Sequence, residues 1–210
     1  NMSKTTLQRL YFIGLCVFSS LSLAQPNELP WLAFGDIRGH MEPCGCDPKT
    51  DLGGVKRVAS MVARERRAHK NLLVFDLGNL QETRKEKNLL KASYLKKAIE
   101  QINPDVSLFN TTELLNGKKS LASFPQVLTN LTSRSPLAKI IPPSVKLNSW
   151  TVFGLVFTKE SRYHRQALDQ KLIGKLKTLT QKIPYKKRIL LFSGDQQHLV
   201  TISKLNLFSL

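Results

Sequence analysis

Short apolar runs alternate along this chain with longer segments in which apolar residues recur every three or four positions. The runs lie at Trp31–Phe34, Leu72–Phe75, Val106–Phe109, Gln126–Leu128, Trp150–Phe157 and Arg188–Phe192. Runs of this length predict strands buried on both faces. After the first, Val55, Val58, Ala59 and Val62 form one stripe of a helix that keeps Lys56, Arg57, Arg64 and Arg67 on or beside its solvent face. The same spacing turns Leu89, Ala92, Leu95 and Ile99 inward on a helix over 84–102. Asn103-Pro104-Asp105 stops it, because proline disfavours helix in the residue before it. Further helices are expected over 112–123 and, rich in lysine, over 166–182. A loop with prolines 136, 142 and 143 leads into the strand at Trp150. Strands alternating with helices predict an α/β fold with a largely parallel sheet.

The first 24 residues break this rhythm. Lys4 and Arg9 precede an apolar stretch from Leu10 to Leu23, and Ser22-Leu23-Ala24 offers the small residues that a signal peptidase needs. The stretch is short and interrupted by serines for a transmembrane helix. An uncleaved anchor is the alternative reading. Leu15 ahead of Cys16 is too bulky for a lipoprotein signal. Residues 1–24 are therefore expected to be a secretory signal peptide and 25–210 a single domain. The mature protein is expected to be extracytoplasmic, periplasmic or secreted, without a transmembrane helix.

At 210 residues and 41% hydrophobic, the chain can bury one sizeable core. Its net charge of +17 favours an anionic partner or a place in a protein assembly, with segments 56–70, 84–97 and 171–188 the most basic. The bland reading of that charge is solubility. No aromatic-interleaved basic motif or Cys/His finger points to nucleic acid.

In an open parallel sheet, ligands bind at the carboxyl ends of the strands. Asp36 and Asn79 stand just past the first two apolar runs, where a site would form. Between them lies Cys44-Gly45-Cys46 in a Gly-, Pro- and Asp-rich loop. Three readings are open for it. In an oxidising compartment the thiols would pair, in a ring tight enough to be readily reduced. With His40 and Met41 they would form a soft-metal site for Zn or Cu(I). Or they are retained without chemistry.

These residues carry a resemblance. Gly35-Asp36-Ile37-Arg38-Gly39-His40-Met41-Glu42-Pro43, followed by Gly53-Gly54-Val55-Lys56-Arg57, resembles the opening motif of the 5′-nucleotidase branch of the calcineurin-like metallophosphoesterases. Pro43-Cys44-Gly45-Cys46 is similar to an insert of a bacterial exported subgroup. Phe75-Asp76-Leu77-Gly78-Asn79 resembles the family's Asp-Ala-Gly-Asp, Val127–Leu131 its Ser-Ala-Asn segment, and Val152–Leu155 its Val-Ile-Gly-Leu strand. The resemblance implies a metallophosphoesterase-like, layered αββα fold, here partly truncated at the C-terminal side. It also implies two divalent metals (Mn, Fe, Zn or Mg) that activate water against a phosphate ester.

Carried over residue by residue, that site is depleted. Asp36 keeps the first carboxylate, but Arg38 stands where a ligand His is expected, and a guanidinium cannot ligate a metal. Asn79 replaces the bridging Asp, and Asn110-Thr111-Thr112-Glu113 replaces Asn-His-Glu. Ser193-Gly194-Asp195 replaces a Ser-His pair, and the last Gly-His-x-His motif has no counterpart before Leu210. His40 matches a family histidine that is not a ligand, and His198 lies beyond the matching strand end. The expectation is therefore a non-catalytic binding domain with no resident cofactor and no catalytic residue. Asp36, Asn79 and Asn110 would be vestigial metal ligands, and Arg38 a candidate anion-binding residue. One alternative is a phosphoric-ester hydrolase of nucleotidase type with a reduced metal site; recruitment of one weakly held cation by Asp36, Asn79, Asn110 and Asp195 also stays open. The other is a thiol-redox or metal-binding role for Cys44 and Cys46.

Overall fold

A computed structural model describes residues 29–41, 54–80, 89–158 and 167–208. The expected signal peptide at 1–24 and Cys44 and Cys46 lie outside the described residues. The chain opens with β1 (Trp31–Phe34), α1 (Val55–Ala68), β2 (Leu73–Asp76), α2 (Leu89–Ile102) and β3 (Val106–Leu108). A short helix α3 (Thr111–Asn116) and a 3₁₀ turn over Gly117–Ser120 lead to β4 (Gln126–Val127). The four strands lie side by side in chain order, all parallel, with Phe34 opposite Asp76 and Asp76 opposite Ser107.

The second sheet holds β5 (Ser144–Leu147), β6 (Trp150–Val156) and β7 (Arg188–Ser193). β5 and β6 form an antiparallel hairpin, while β6 and β7 run parallel. Helix α4 (Gln170–Thr180), a 3₁₀ turn over Tyr185–Lys187 and helix α5 (Gln196–Ser203) complete the chain's elements among the described residues.

Alternation along the strands sorts these elements into layers. Leu73 and Phe75 of β2 face Val152, Val156 and Leu191 of the second sheet. Val74 and Phe34 face the other way, onto Val62 of α1 and Leu95 and Ile99 of α2. On the far side, Phe153 and Leu155 of β6 meet Leu172 and Leu176 of α4 and Ile202 of α5. The order is helix, sheet, sheet, helix, the layering expected from the resemblance.

Thr129 and Asn130, both fully buried, bind the end of β4 to β6. Thr129 N donates to the Gly154 carbonyl at 2.6 Å and Gly154 N returns a bond to Thr129 Oγ1 at 3.0 Å. The Asn130 carboxamide bridges both backbone groups of Val156, at 2.6 and 3.2 Å.

Three local expectations are corrected. The helix expected over 112–123 stops at Asn116, because Gly117 takes a positive φ of 59° and the chain tightens into the 3₁₀ turn. The segment read as loop before Trp150 contains β5, whose two-residue turn places Asn148 at φ 53°. Helix α5 was not foreseen; Asp195 caps it by accepting from His198 N at 2.9 Å. No described helix is long and apolar enough to cross a membrane.

Candidate functional site

The loops after β1, β2 and β3 converge. Leu77 N donates to the Phe34 carbonyl at 2.7 Å, Asp36 N to that of Gly78 at 2.8 Å, and Arg38 N to that of Asn79 at 2.9 Å. The first two loops therefore continue the ladder beyond the strands themselves. They bend sharply, with Asp36, Arg38 and Asn79 at φ of 58°, 46° and 55°. Left-handed backbone is costly for residues other than glycine and clusters at functional sites. Gly78, at φ 75°, is indispensable: a Cβ there would stand 2.4 Å from the Leu108 carbonyl oxygen and 2.5 Å from Asn110 Cβ.

Asp36, Arg38, Asn79 and Asn110 are brought together at this edge. Asp36 Oδ1 accepts from Arg38 Nε at 2.8 Å and from Asn79 Nδ2 at 3.3 Å. The Asn79 carboxamide is thus turned with its NH2 towards the carboxylate, and its oxygen accepts from Thr112 N at 3.2 Å. Asn110 caps α3: its oxygen accepts from Thr111 N at 2.7 Å, and its NH2 donates to the Leu77 carbonyl at 2.8 Å. The Asp36 and Arg38 side chains are 60% and 66% exposed, so their ion pair contributes about 1 kcal/mol or less. His40 is exposed beside them, its backbone carbonyl accepting from Val55 N at the start of α1.

Two acids beneath this edge were not foreseen as part of the site. Glu113, almost fully buried, accepts from Asn79 N and Leu80 N, each at 3.0 Å. It also accepts from Asn110 N at 3.2 Å and Thr112 Oγ1 at 2.9 Å. One carboxylate therefore ties the loop after β2 to the cap of α3. Its signal in the sequence was the capping-box spacing Asn110-x-x-Glu113. Asp76, fully buried in β2, accepts from Ser107 Oγ at 2.6 Å and Gly78 N at 2.8 Å. Burial pushes its carboxyl up to about 7, helped by the nearby Glu113 charge and opposed by the two hydrogen bonds. No spacing rule distinguishes it from a strand-end polar residue.

The Ser193-Gly194-Asp195 segment lies at the end of β7 in the other sheet. Asp195 Oδ1 meets His198 Nδ1 at 2.7 Å, and the imidazole stacks on Phe157 with ring centres 4.2 Å apart. The His198 backbone N–H, foremost, holds the Asp195 carboxyl below its usual range. His198 thus has a defined orienting partner.

No family model matches this sequence, and no curated protein does. Solved structures match its fold. The NAD nucleotidase of Haemophilus influenzae aligns with a TM-score of 0.61 and 18% identity over 82% of this chain and 35% of that one. The 5′-nucleotidase precursor of Thermus thermophilus gives 0.60 and 19% over 77% of this chain and 36% of that one. The calcineurin-like phosphoesterase YfkN of Bacillus subtilis gives 0.51 and 16%, over 77% and 60% respectively. At these identities the likeness shows the fold alone: this chain has the metallophosphoesterase fold. It spans little more than a third of either nucleotidase.

Proposed function

We propose that this chain is an exported, non-catalytic domain of metallophosphoesterase fold that binds an anionic partner through its basic surface. The observation that carries the reading is the bonding of Asp36. A dinuclear site needs bridging and terminal donors whose lone pairs face the cations. Here Asp36 bonds a guanidinium and a carboxamide NH2, and both Asn79 and Asn110 direct their oxygens to backbone N–H groups. Arg38 adds a fixed positive charge beside the Asp36 carboxylate. This donor set does not fit a pair of divalent metals. The cluster supplies its own countercharge, and Arg38, exposed at the edge, suits an anionic oxygen and not a metal.

The alternative of a reduced phosphoesterase rests on the convergence of Asp36, Asn79 and Asn110 at one strand edge. Elemental analysis of protein prepared without chelator, beside a variant with Cys44 and Cys46 both changed to Ser, separates the readings. No bound metal in either protein, and no phosphatase activity with added Mn, supports the non-catalytic domain. Stoichiometric Mn, Fe or Zn insensitive to the serine changes would overturn it in favour of the hydrolase. Metal lost with the cysteines would move the chemistry to the loop over 44–46. Export through residues 1–24 is tested by fractionation and N-terminal sequencing, with Gln25 expected as the first residue.

A further inference from the structure

Between α1 and α2 runs an open groove of about 370 Å³. Buried Val55, Val62 and Ile102 line its depth, and the small side chains of Ala59 and Ala63 from α1 and Ala98 from α2 line its more open part. Lys56, Arg66 and Gln101 stand along it. Arg66 is a strut: its guanidinium donates to the carbonyls of Ile102 and Asn103, at 2.5 and 2.6 Å, where α2 ends. That clamp fixes the spacing of the two helices, so the groove is preformed. Beyond it the exposed face of α1 carries Arg57, Arg64 and Arg67, against Glu65, which pairs with Arg64 at 2.9 Å. On α2, Tyr94 is 53% exposed one turn before Ala98, with the Lys97 ammonium 6.0 Å from its ring.

We propose that this groove receives an acidic amphipathic helix of a partner protein. The inference rests on the anionic-partner reading above and assigns it a place and a class of partner. A slot between two helices, apolar at its depth and lined by alanines where it opens, has room for the large apolar side chains of a third helix. The surrounding cations match acidic residues on the rest of that helix. A second copy of this chain does not suit the slot, since it brings the same strong positive charge. A lipid surface matches it less well: among the described residues, the large exposed apolar side chains on these two helices are Met61 and Tyr94 alone.

The test is fluorescence anisotropy with a labelled peptide of about 14 residues, the length of the two groove helices. It carries Leu at helical spacing and Glu elsewhere. A scrambled peptide of the same composition, heparin and phosphatidylglycerol vesicles serve as comparison probes. The patterned peptide is expected to bind at least about tenfold tighter than the scrambled one. Ala98→Phe should fill the slot and weaken it by about tenfold or more, with the circular dichroism spectrum unchanged. A peptide whose central Leu is shortened to Ala should lose less on Ala98→Phe than the original does. Equal binding of both peptides, or indifference to Ala98→Phe, would overturn the groove while leaving a generally anion-binding surface intact. Binding to vesicles but to neither peptide would overturn it in favour of lipid. Failure of every anionic probe would remove both readings.

Discussion

Glu113 accepts four hydrogen bonds from Asn79, Leu80, Asn110 and Thr112 while almost fully buried. Charge-assisted bonds of this kind hold the loops at the strand edge, and a substitute that donates would face N–H groups. Glu113→Gln is expected to cost about 3 kcal/mol, read as a lower urea midpoint at unchanged m-value. Asp76 gives the opposite sign. Its carboxyl titrates near 7 in the folded protein against 3.8 ordinarily, so the folded state holds a proton that the unfolded chain releases. The stability it contributes is full below about pH 4 and is lost as pH rises towards 7, with a slope of up to about 1.4 kcal/mol per pH unit. Asp76→Asn keeps the acceptor for Gly78 and a partner for Ser107, and should flatten that slope in denaturation curves taken across the interval. Equal slopes for the two proteins would refute the assignment. Changing Arg38→His and Asn79→Asp together removes the fixed charge and restores carboxylate donors. That double variant is expected to gain a Mn-dependent rise in melting temperature that the unaltered chain lacks.

Among the elements, α1 and α2 were legible because their apolar stripes are long and flanked by charge. Their stripe residues Val62, Leu95 and Ile99 are buried against the first sheet. By contrast, β5 offers only Val145 and Leu147 between polar residues, directly after two prolines, and becomes a strand by pairing with β6. Helix α5 was hidden by Ser193-Gly194-Asp195, which reads equally well as a strand end or a helix cap. The outer layer makes a separable prediction. Leu176 on α4 is fully buried, whereas Leu199 on α5 is 37% exposed. Leu176→Ala is expected to cost 2–5 kcal/mol, roughly, and Leu199→Ala about 0.5 kcal/mol or less; comparable losses in thermal denaturation would contradict the layering.

For the whole molecule, a net charge of +17 implies self-repulsion in the compact state. Raising the ionic strength to about 0.3 M screens it, so the melting temperature should rise with salt while affinity for heparin falls. Part of the charge is structural: Lys175 Nζ donates to the Thr129 carbonyl, and the Arg188 guanidinium to those of Ile183 and Leu207. Apolar spacing and strand-end residues, read by themselves, determined the α/β alternation, the inward positions of Val62, Leu95 and Ile99, and the placement of Asp36, Asn79 and Asn110 just past strand ends. These features are local, written in neighbouring residues as periods of two and of three to four. Local periodicity did not assign strands to the two sheets that the resemblance implied; tertiary structure decided that β1–β4 form one and β5–β7 the other, because that depends on which distant strand each buried strand pairs with. It alone decided that Glu113 ties the loop after β2 to the cap of α3, that burial pushes the Asp76 carboxyl up to about 7, and which way the Asn79 carboxamide turns. Each of those outcomes depends on desolvation and on donors 31 to 34 residues away in sequence, brought within hydrogen-bonding distance only by the fold.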